Sequence, residues 1–393
     1  MDNDPIAHWL LEEAAALPDF RTVVKGLIDR LRDDGMPLVR VTFGVGMLHP
    51  EMLAAMYGWE PGDSFVKRSE IPHGTELTDM YLNSPFRLVN EGHSLVRRRL
   101  TGPEAEVDFP ILEDIRDAGA TDYIALSLPR SDKDSNRCSF AINRPDGFTD
   151  AEVARLAALR PYIGVITELQ ARARMTRTLL DLYLGPEAGT RVYNGAIRRG
   201  EGITLRSVLW ISDLRDFTQL SEELPFEELT AMLNDYFGAM IGPIHAHGGE
   251  VLKLIGDGVL AVFRIKDDAD VAEICETALN AAELATANMR LLNRRRGREG
   301  KSALAAGIAL HVGDTTYGNV GAQDRLDFTV IGPAVNLCAR LETLAGEQGE
   351  PIVCSADFAA HSAAPLRSIG RHAMKHIDGL IEAFVPDSGS AKK

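Results

Sequence analysis

The sequence predicts an α+β protein with two domains joined by a long helix. Its 393 residues fit two or three domains of ordinary size. Residues 185–203 are rich in glycine and polar side chains, which is typical of a linker. Beyond residue 203, strand-like and helix-like stretches alternate around a central hairpin, which predicts a largely antiparallel sheet with helices on one face. We therefore expect an N-terminal domain over 1–148, a connecting helix over 149–184, the linker over 185–203, a C-terminal domain over 204–385 and a disordered tail over 386–393.

The composition excludes several classes of function. Apolar residues make up 45% of the chain and charged residues 25%, and no run of about 18 apolar residues could cross a membrane. The net charge of −15 repels phosphate, so we expect no nucleic-acid partner. The N-terminus lacks the basic region of a secretory signal, and the four cysteines form no CxxC pair. We therefore expect a cytoplasmic protein without disulfides or a zinc site.

The N-terminal region mixes helix and strand signals. Residues 1–33 carry two helical stretches, and FPILEDIRDAG predicts a short helix that ends at Gly119. PLVRVTFGV and DYIALSLP predict strands, and RCSFAINRPDGF predicts a strand that runs into a turn. The aromatic residues of this region are expected to form a core rather than a ligand pocket: Trp9, Phe43, Tyr57, Trp59, Phe86, Tyr123 and Phe140.

A long helix is predicted to begin after Thr149. Thr149 and Glu152 have the spacing of a capping box, and the helix is expected to extend to about Leu184. Pro161 is expected to kink or restart it. Apolar residues recur every seven positions along it, at Leu159, Ile166, Ala173 and Leu180. This spacing fits a helical contact between two copies of the chain, and packing against its own domain is the alternative.

The C-terminal domain is predicted in more detail. We expect a strand, a helix, a hairpin and a second helix, followed by three strands, a third helix and a last strand. These elements are placed at 206–213, 225–241, 250–263, 269–293, 304–312, 315–320, 327–331, 333–345 and 351–354.

Two aspartates are expected to meet at one end of this sheet. The strand in VLWISDLRDFTQL ends at Asp213, and Asp257 is placed at the tip of a tight turn in GGEVLKLIGDGVLAVF. If the strand lies beside the hairpin, the two carboxylates repel each other unless a cation lies between them. Carboxylate oxygens suit Mg²⁺ or Mn²⁺. Taken singly, Asp213 as a helix cap and Asp257 as a turn residue are simpler interpretations.

A third stretch, FTVIGPAVNLCARLETL, runs from a strand into a helix. Pro333 fits the first position of that helix. Asn336 and Arg340 are four residues apart and so project from one helix face. An amide and a guanidinium near a helix N-terminus suit a ribose and a phosphate.

These stretches together resemble the catalytic domain of the class III nucleotidyl cyclases, the adenylate and guanylate cyclases. The resemblance covers roughly residues 204–385 and implies a ferredoxin-like cyclase domain. The matching motifs are DLRDFT, LNDYF, GGEVLKLIGDG, GIALHVGD, GNVG and VIGPAVNLCARLE.

The resemblance implies a role for each matched residue. Asp213, Asp257 and the backbone carbonyl of Leu214 correspond to the ligands of two Mg²⁺ or Mn²⁺ ions. Asn336 corresponds to the residue that orients the ribose, and Arg340 to the residue that stabilises the transition state. The family also implies a homodimer, in which the aspartates and the other site residues come from different subunits.

Lys253 and Thr329 correspond to the positions that read the base. Lys253 only donates hydrogen bonds, so it complements N1 of adenine and opposes the N1–H of guanine. Guanylate cyclases carry Glu and Cys at these positions, so ATP is the expected substrate. A guanylate cyclase, and a dimer that binds nucleotide without turning it over, are the alternatives.

Two residues depart from the family pattern. Asp216 stands where many relatives have glycine, and Pro333 stands where relatives often have a polar residue. Neither removes a ligand, so activity is expected.

The N-terminal domain resembles a GAF-type sensory module. NRPDGFTDAEVARLAAL is similar to the end of such domains, where a last strand leads into a long helix. The resemblance implies an unknown regulatory ligand or protein that changes the pairing of the 149–184 helices.

Overall fold

The computed structural model of the chain describes residues 4–128, 136–377 and 379–387. The chain divides into two compact units, Met1–Leu179 and Leu180–Lys393. Over the described ranges, no helix combines the length and apolar character that a membrane span requires.

The first unit is built on a six-stranded antiparallel sheet with strand order β3-β2-β1-β6-β5-β4. Its strands are β1 (Leu38–Gly46), β2 (Met52–Trp59), β3 (Lys67–Pro72), β4 (Leu95–Arg99), β5 (Asp122–Leu128) and β6 (Asn136–Ile142). Its helices are α1 (Pro5–Glu12), α2 (Phe20–Asp33), α3 (Asp79–Leu82), α4 (Pro85–Asn90), α5 (Pro110–Asp117) and α6 (Asp150–Leu184), which continues into the second unit.

The expected aromatic core is confirmed. Most of the aromatic side chains named above are at most 5% exposed, and Phe86 packs at the edge of a second apolar cluster. Rings of Phe20, Phe43 and Phe140 pack edge to face, with centroids 5.5 and 6.3 Å apart.

The long helix begins as predicted. The Glu152 N–H donates to Thr149 Oγ1 at 3.2 Å, and the Thr149 N–H donates to Glu152 Oε2 at 2.8 Å, which forms the capping box. Pro161 lies inside one continuous helix, so the expected restart does not occur. Leu159 and Ile166 are buried in the core of their own unit. The seven-residue spacing over this part of α6 therefore reflects packing within the unit.

The second unit contains an eight-stranded sheet. Its path is β13-β14-β12-β10-β7-β9-β8, and β11 pairs with β10. Its strands are β7 (Gly202–Leu214), β8 (Glu250–Ile255), β9 (Gly258–Arg264), β10 (Ala306–Gly321), β11 (Leu326–Ile331), β12 (Ile352–Ser355), β13 (Leu366–Ala373) and β14 (Leu380–Pro386). Its helices are α7 (Pro186–Tyr193), α8 (Phe217–Glu223), α9 (Phe226–Ala246), α10 (Val271–Arg298), α11 (Pro333–Gln348) and α12 (Ala356–His361).

The sheet is largely antiparallel as predicted, since among the described strands only β10 and β12 pair in parallel. The prediction that helices cover one face is wrong. Val208 and Trp210 of β7 pack with α9 and α10, whereas Leu209 packs on the opposite face with α11. Successive residues of a strand point to opposite faces, so the unbroken apolar run in β7 is explained by burial on both sides.

Two local predictions also differ from the structure. Residues 304–312 and 315–320 were expected to form two strands, but β10 is a single strand through Gly313. A Cβ at Gly313 would lie 2.6 Å from Cβ of Ala334, so this glycine allows α11 to approach the strand and does not end it. The expected linker over 185–203 contains the helix α7. Residues 388–393 of the expected tail lie outside the described residues.

Candidate active site

Asp213 and Asp257 meet at one end of the sheet. Ser212 of β7 pairs with Val259 of β9, which places Asp213 beside the β8–β9 turn. That turn has two central residues, Gly256 at φ +64° and Asp257. The Leu214 N–H donates to Asp257 Oδ2 at 3.2 Å and holds the turn against β7.

This pair of carboxyl groups fits a divalent cation. Burial and the neighbouring Asp257 carboxyl raise the pKa of Asp213 to about 7. Asp213 Oδ1 is buried without a hydrogen-bond partner among the described residues. In those residues, no cluster of three or more His, Cys, Asp or Glu side chains has the geometry of a metal site. The two carboxylates and the adjacent Leu214 carbonyl are hard oxygen donors of the kind that Mg²⁺ and Mn²⁺ bind together with substrate phosphates.

We expect Asp213→Asn to stabilise the metal-free protein clearly more at pH 8 than at pH 5. The folded-state pKa of Asp213 is raised, so the folded protein holds this proton more tightly than the unfolded chain does. In the natural protein the stability that the proton provides is lost progressively as the pH rises from the ordinary pKa of 3.8 to about 7, and asparagine has no such loss. The expected gain is about 1 to 2 kcal/mol, because solvent screens this half-buried group. Urea unfolding in EDTA at both pH values measures it; a gain of equal size at pH 5 would contradict the assignment.

Lys253 on β8 lies against β11. Its Nζ forms an ion pair with Asp327 Oδ2. Asp327 and Thr329 are two residues apart on β11 and so share a face, while Phe328 and Val330 are buried on the other. Lys253 and Thr329 therefore border one surface. Asp327 is not among the site residues expected from the sequence, although the alternation along β11 could have placed it beside Thr329.

Asn336 and Arg340 lie on the solvent side of α11. Pro333 occupies the first turn of the helix as predicted, and Gly332 precedes it at φ 145°. The core side of α11 carries Ala334, Cys338, Leu341 and Ala345. Neither Asn336 nor Arg340 makes a side-chain hydrogen bond or ion pair within the part of the chain that the structure describes.

Within one chain, the expected site residues fall into separate groups. Asp213 contacts Asp257, and Lys253 shares a surface with Thr329. Over the described residues, no hydrogen bond or ion pair joins Asn336 or Arg340 to either aspartate.

Asp216 has a backbone conformation that explains the glycine of many relatives. Its φ is 58° and its ψ is 24°, in the left-handed region, and it precedes α8 without a capping hydrogen bond from its side chain. Aspartate tolerates this region better than most residues, and a β-branched residue tolerates it poorly.

We expect the urea unfolding midpoint of Asp216→Gly to be equal to or higher than that of the natural protein. Most replacements by glycine destabilise a protein, but here glycine removes the steric cost of the left-handed conformation. Asp216→Val is the matched variant and should lose about 1 to 2 kcal/mol. If glycine and valine destabilise the protein equally, the backbone conformation is not what selects the residue.

The family model for the adenylate and guanylate cyclase catalytic domain matches residues 206–358. This range contains Asp213, Lys253, Asp257, Asn336 and Arg340. Residues 206–358 form an adenylate and guanylate cyclase catalytic domain. The resemblance inferred from the sequence motifs is confirmed for this domain.

Relatives of the cyclase domain occur in several organisms. An adenylate cyclase of Anabaena cylindrica is 35% identical over 157 residues, which are 39% of this chain and 30% of that protein. Adenylate cyclase 1 of Rhizobium meliloti is 30% identical over 146 residues, which are 37% of this chain and 21% of that protein. The chain therefore spans less than a third of the length of these two relatives.

Solved structures of both substrate classes are similar to the cyclase domain. The adenylyl cyclase CyaB from P. aeruginosa is 28% identical, with a TM-score of 0.43 over 47% of this chain and 94% of that chain. The guanylyl cyclase Cya2 is 27% identical, with a TM-score of 0.41 over 47% of this chain and 92% of that chain.

Proposed function

We propose that the protein is an adenylate cyclase that converts ATP to 3′,5′-cyclic AMP and pyrophosphate. The observation that carries this proposal is the contact of Asp213 with Asp257, with Oδ1 of Asp213 buried and unpartnered, inside a cyclase catalytic domain. A buried oxygen without a donor beside a second carboxyl is costly in a protein unless a cation satisfies it.

Asp213, Asp257 and the Leu214 carbonyl hold the divalent cations in this proposal. Two bound Mg²⁺ or Mn²⁺ ions would activate the ribose 3′-hydroxyl and neutralise the leaving pyrophosphate. Asn336 orients the ribose, so that the 3′-oxygen faces the α-phosphorus. The Arg340 guanidinium donates to the α-phosphoryl oxygens as charge develops on them. The 3′-oxygen forms the new bond to the α-phosphorus, the bond to the pyrophosphate oxygen breaks, and the 3′-hydroxyl proton goes to solvent.

The choice of base rests on Lys253. Its ammonium donates to N1 of adenine, and the ion pair with Asp327 directs it along the surface that it shares with Thr329. Guanine presents an N1–H at the same position and would face a second donor. The runner-up function is a guanylate cyclase, and solved structures of both kinds resemble this domain.

We propose that the active enzyme is a homodimer. Among the described residues of one chain, Asn336 and Arg340 form no hydrogen bond or ion pair with the aspartates, so a second copy would supply these two side chains to the aspartates of the first. Two equivalent sites would then lie between the catalytic domains. Exposed apolar residues on α6, among them Val165 and Leu169, offer a further surface for this pairing.

The N-terminal unit is proposed to be a GAF-like sensory domain that regulates the cyclase domain. Its last helix, α6, continues into the second unit. A signal that changes how two α6 helices pair would change how two catalytic domains face each other. Comparing the full chain with residues 180–393 in the assay below measures the sign of this regulation.

The function is tested by incubating the purified protein with Mn²⁺ and either ATP or GTP and measuring both cyclic products. The proposal predicts cyclic AMP from ATP and much less cyclic GMP. Cyclic GMP as the main product would establish the guanylate cyclase instead. Nucleotide binding without either product would establish the silent signalling dimer.

We expect Lys253→Glu to lower cyclic AMP formation from ATP by about 100-fold in kcat/KM, because glutamate cannot donate to adenine N1. Activity with GTP should fall less or rise. Lys266→Glu is the matched control, since it makes the same charge change beyond the end of β9, and it should leave the ATP-to-GTP ratio unchanged. Equal losses with both nucleotides would exclude Lys253 from base reading.

A further inference from the structure

The Arg215 side chain occupies a slot that two glycines form. A Cβ built on Gly307 of β10 would lie 1.6 Å from Arg215 Nη2, and one built on Gly346 of α11 would lie 2.7 Å from Arg215 Nη1. Neither glycine has a left-handed φ. What both positions require is therefore space for the guanidinium, which runs from the end of β7 to the inner side of α11.

The guanidinium in this slot binds Glu342. Arg215 Nη1 donates to Glu342 Oε1 at 2.7 Å, and Nη2 reaches the backbone carbonyl of Glu342 at 3.5 Å. The Glu342 side chain is only 10% exposed. It lies one turn beyond Cys338 on the apolar side of α11, where a charged residue is unusual.

Glu342 is a third carboxylate next to the metal pair. Gly307 pairs directly with Asp213 across the β10–β7 ladder. A Cβ built on Gly307 would lie 3.1 Å from Glu342 Oε1, so this oxygen is beside the residue that faces Asp213. Without Arg215, three acidic side chains would converge on the end of β7.

We propose that Arg215 is a positioning residue that holds Glu342 away from the metal ions and so keeps the centre at two carboxylates. This inference rests on the proposed cyclase function. A site that binds Mg²⁺ or Mn²⁺ through two carboxylates leaves coordination positions for substrate phosphates. A third carboxylate would bind the ion more tightly and take a position that the triphosphate needs.

The test measures Mn²⁺ binding to the full-length protein without nucleotide, by electron paramagnetic resonance, together with turnover. The variants are Arg215→Met, Glu342→Gln and the double variant. Arg215→Met is expected to bind Mn²⁺ about 10-fold more tightly and to lose about 10-fold in kcat. Glu342→Gln is expected to bind Mn²⁺ within about threefold of the natural protein, since Glu342 is not a ligand.

The double variant separates positioning from simple charge. If Arg215 acts by holding Glu342, Arg215→Met has no effect on Mn²⁺ affinity once residue 342 is glutamine. An equal effect in both backgrounds means that only the charge of Arg215 matters, and it overturns the proposal. If Arg215→Met does not fold, Glu342→Gln decides: unchanged Mn²⁺ affinity supports the proposal, and binding at least about 10-fold weaker makes Glu342 a ligand and overturns it.

The same Mn²⁺ binding measurement distinguishes a failure of this inference from a failure of the proposed cyclase function. Asp213→Ala serves as the reference, because it should remove the tight Mn²⁺ signal from the natural protein and from every variant. If Asp213→Ala leaves Mn²⁺ binding intact, the metal centre itself is misplaced, whatever Arg215 does.

Discussion

Replacing Asp213 or Asp257 with alanine is expected to reduce cyclic AMP formation by about 1,000-fold or more, which corresponds to about 4 kcal/mol of transition-state stabilisation. Each change removes one of the two carboxylate ligands of the proposed metal site, and no third carboxylate ligand replaces it. Adding more Mn²⁺ should recover little of the loss, because the remaining carboxylate cannot hold ions at both the 3′-hydroxyl and the leaving group. Turnover at saturating ATP and several Mn²⁺ concentrations measures the effect.

The fold should survive both substitutions. Asp213 and Asp257 repel each other in the metal-free protein, so removing either one relieves that repulsion. Asp257→Ala also loses one hydrogen bond, from the Leu214 N–H, which is a small cost for the whole domain. Asp314→Ala removes an exposed carboxylate from β10 and should keep activity within about threefold. Substantial residual activity in either site variant, with normal unfolding in urea, would show that the aspartates do not hold the catalytic ions.

Arg340→Ala is expected to lower kcat by about 100- to 1,000-fold while changing KM for ATP by no more than a few fold. Arg340 makes no side-chain hydrogen bond or ion pair within the described chain, so its removal should cost little stability. The loss should therefore appear in the chemical step, where the guanidinium meets the charge that develops on the α-phosphoryl group. Arg340→Lys keeps the charge but not the planar donors, so it should recover only part of the rate.

The control for Arg340 is Arg294→Ala, which removes an exposed arginine from another helix, α10. It should leave kcat within about threefold of the natural protein. If Arg340→Ala raises KM and leaves kcat unchanged, Arg340 binds the substrate without favouring the transition state.

The place of each aspartate within its own element could be predicted from the sequence because local chemistry determines it, whereas their meeting also depends on the pairing of β7 with β9. A two-residue turn with Gly256 at φ +64° leaves Asp257 at the tip, and Asp213 ends an apolar strand. The start of α11 at Pro333 and of α6 after Thr149 could be predicted for the same reason, since each depends on a few adjacent residues.

Features that depend on distant partners could not be predicted. From the sequence, Gly313 indicates the end of a strand. In the structure, the close approach of Ala334 explains why glycine occupies this position. The slot of Arg215 requires Gly307 and Gly346, which lie on different elements far along the chain. Strands such as β13 have mostly exposed side chains and weak alternation, so their pairing with a neighbour defines them more than their own residues do.

Mixing two inactive variants shows directly whether two chains share each active site. Asp213→Ala and Arg340→Ala homodimers lack a ligand or the arginine at both sites. Random exchange of subunits would make half of the dimers mixed, and each mixed dimer would contain one site with both residues intact. We expect the 1:1 mixture, after dissociation and reassociation, to recover about a quarter of the activity of the natural protein. Activity that stays at the average of the two inactive parents, while subunit exchange is demonstrated, would contradict a site shared between chains.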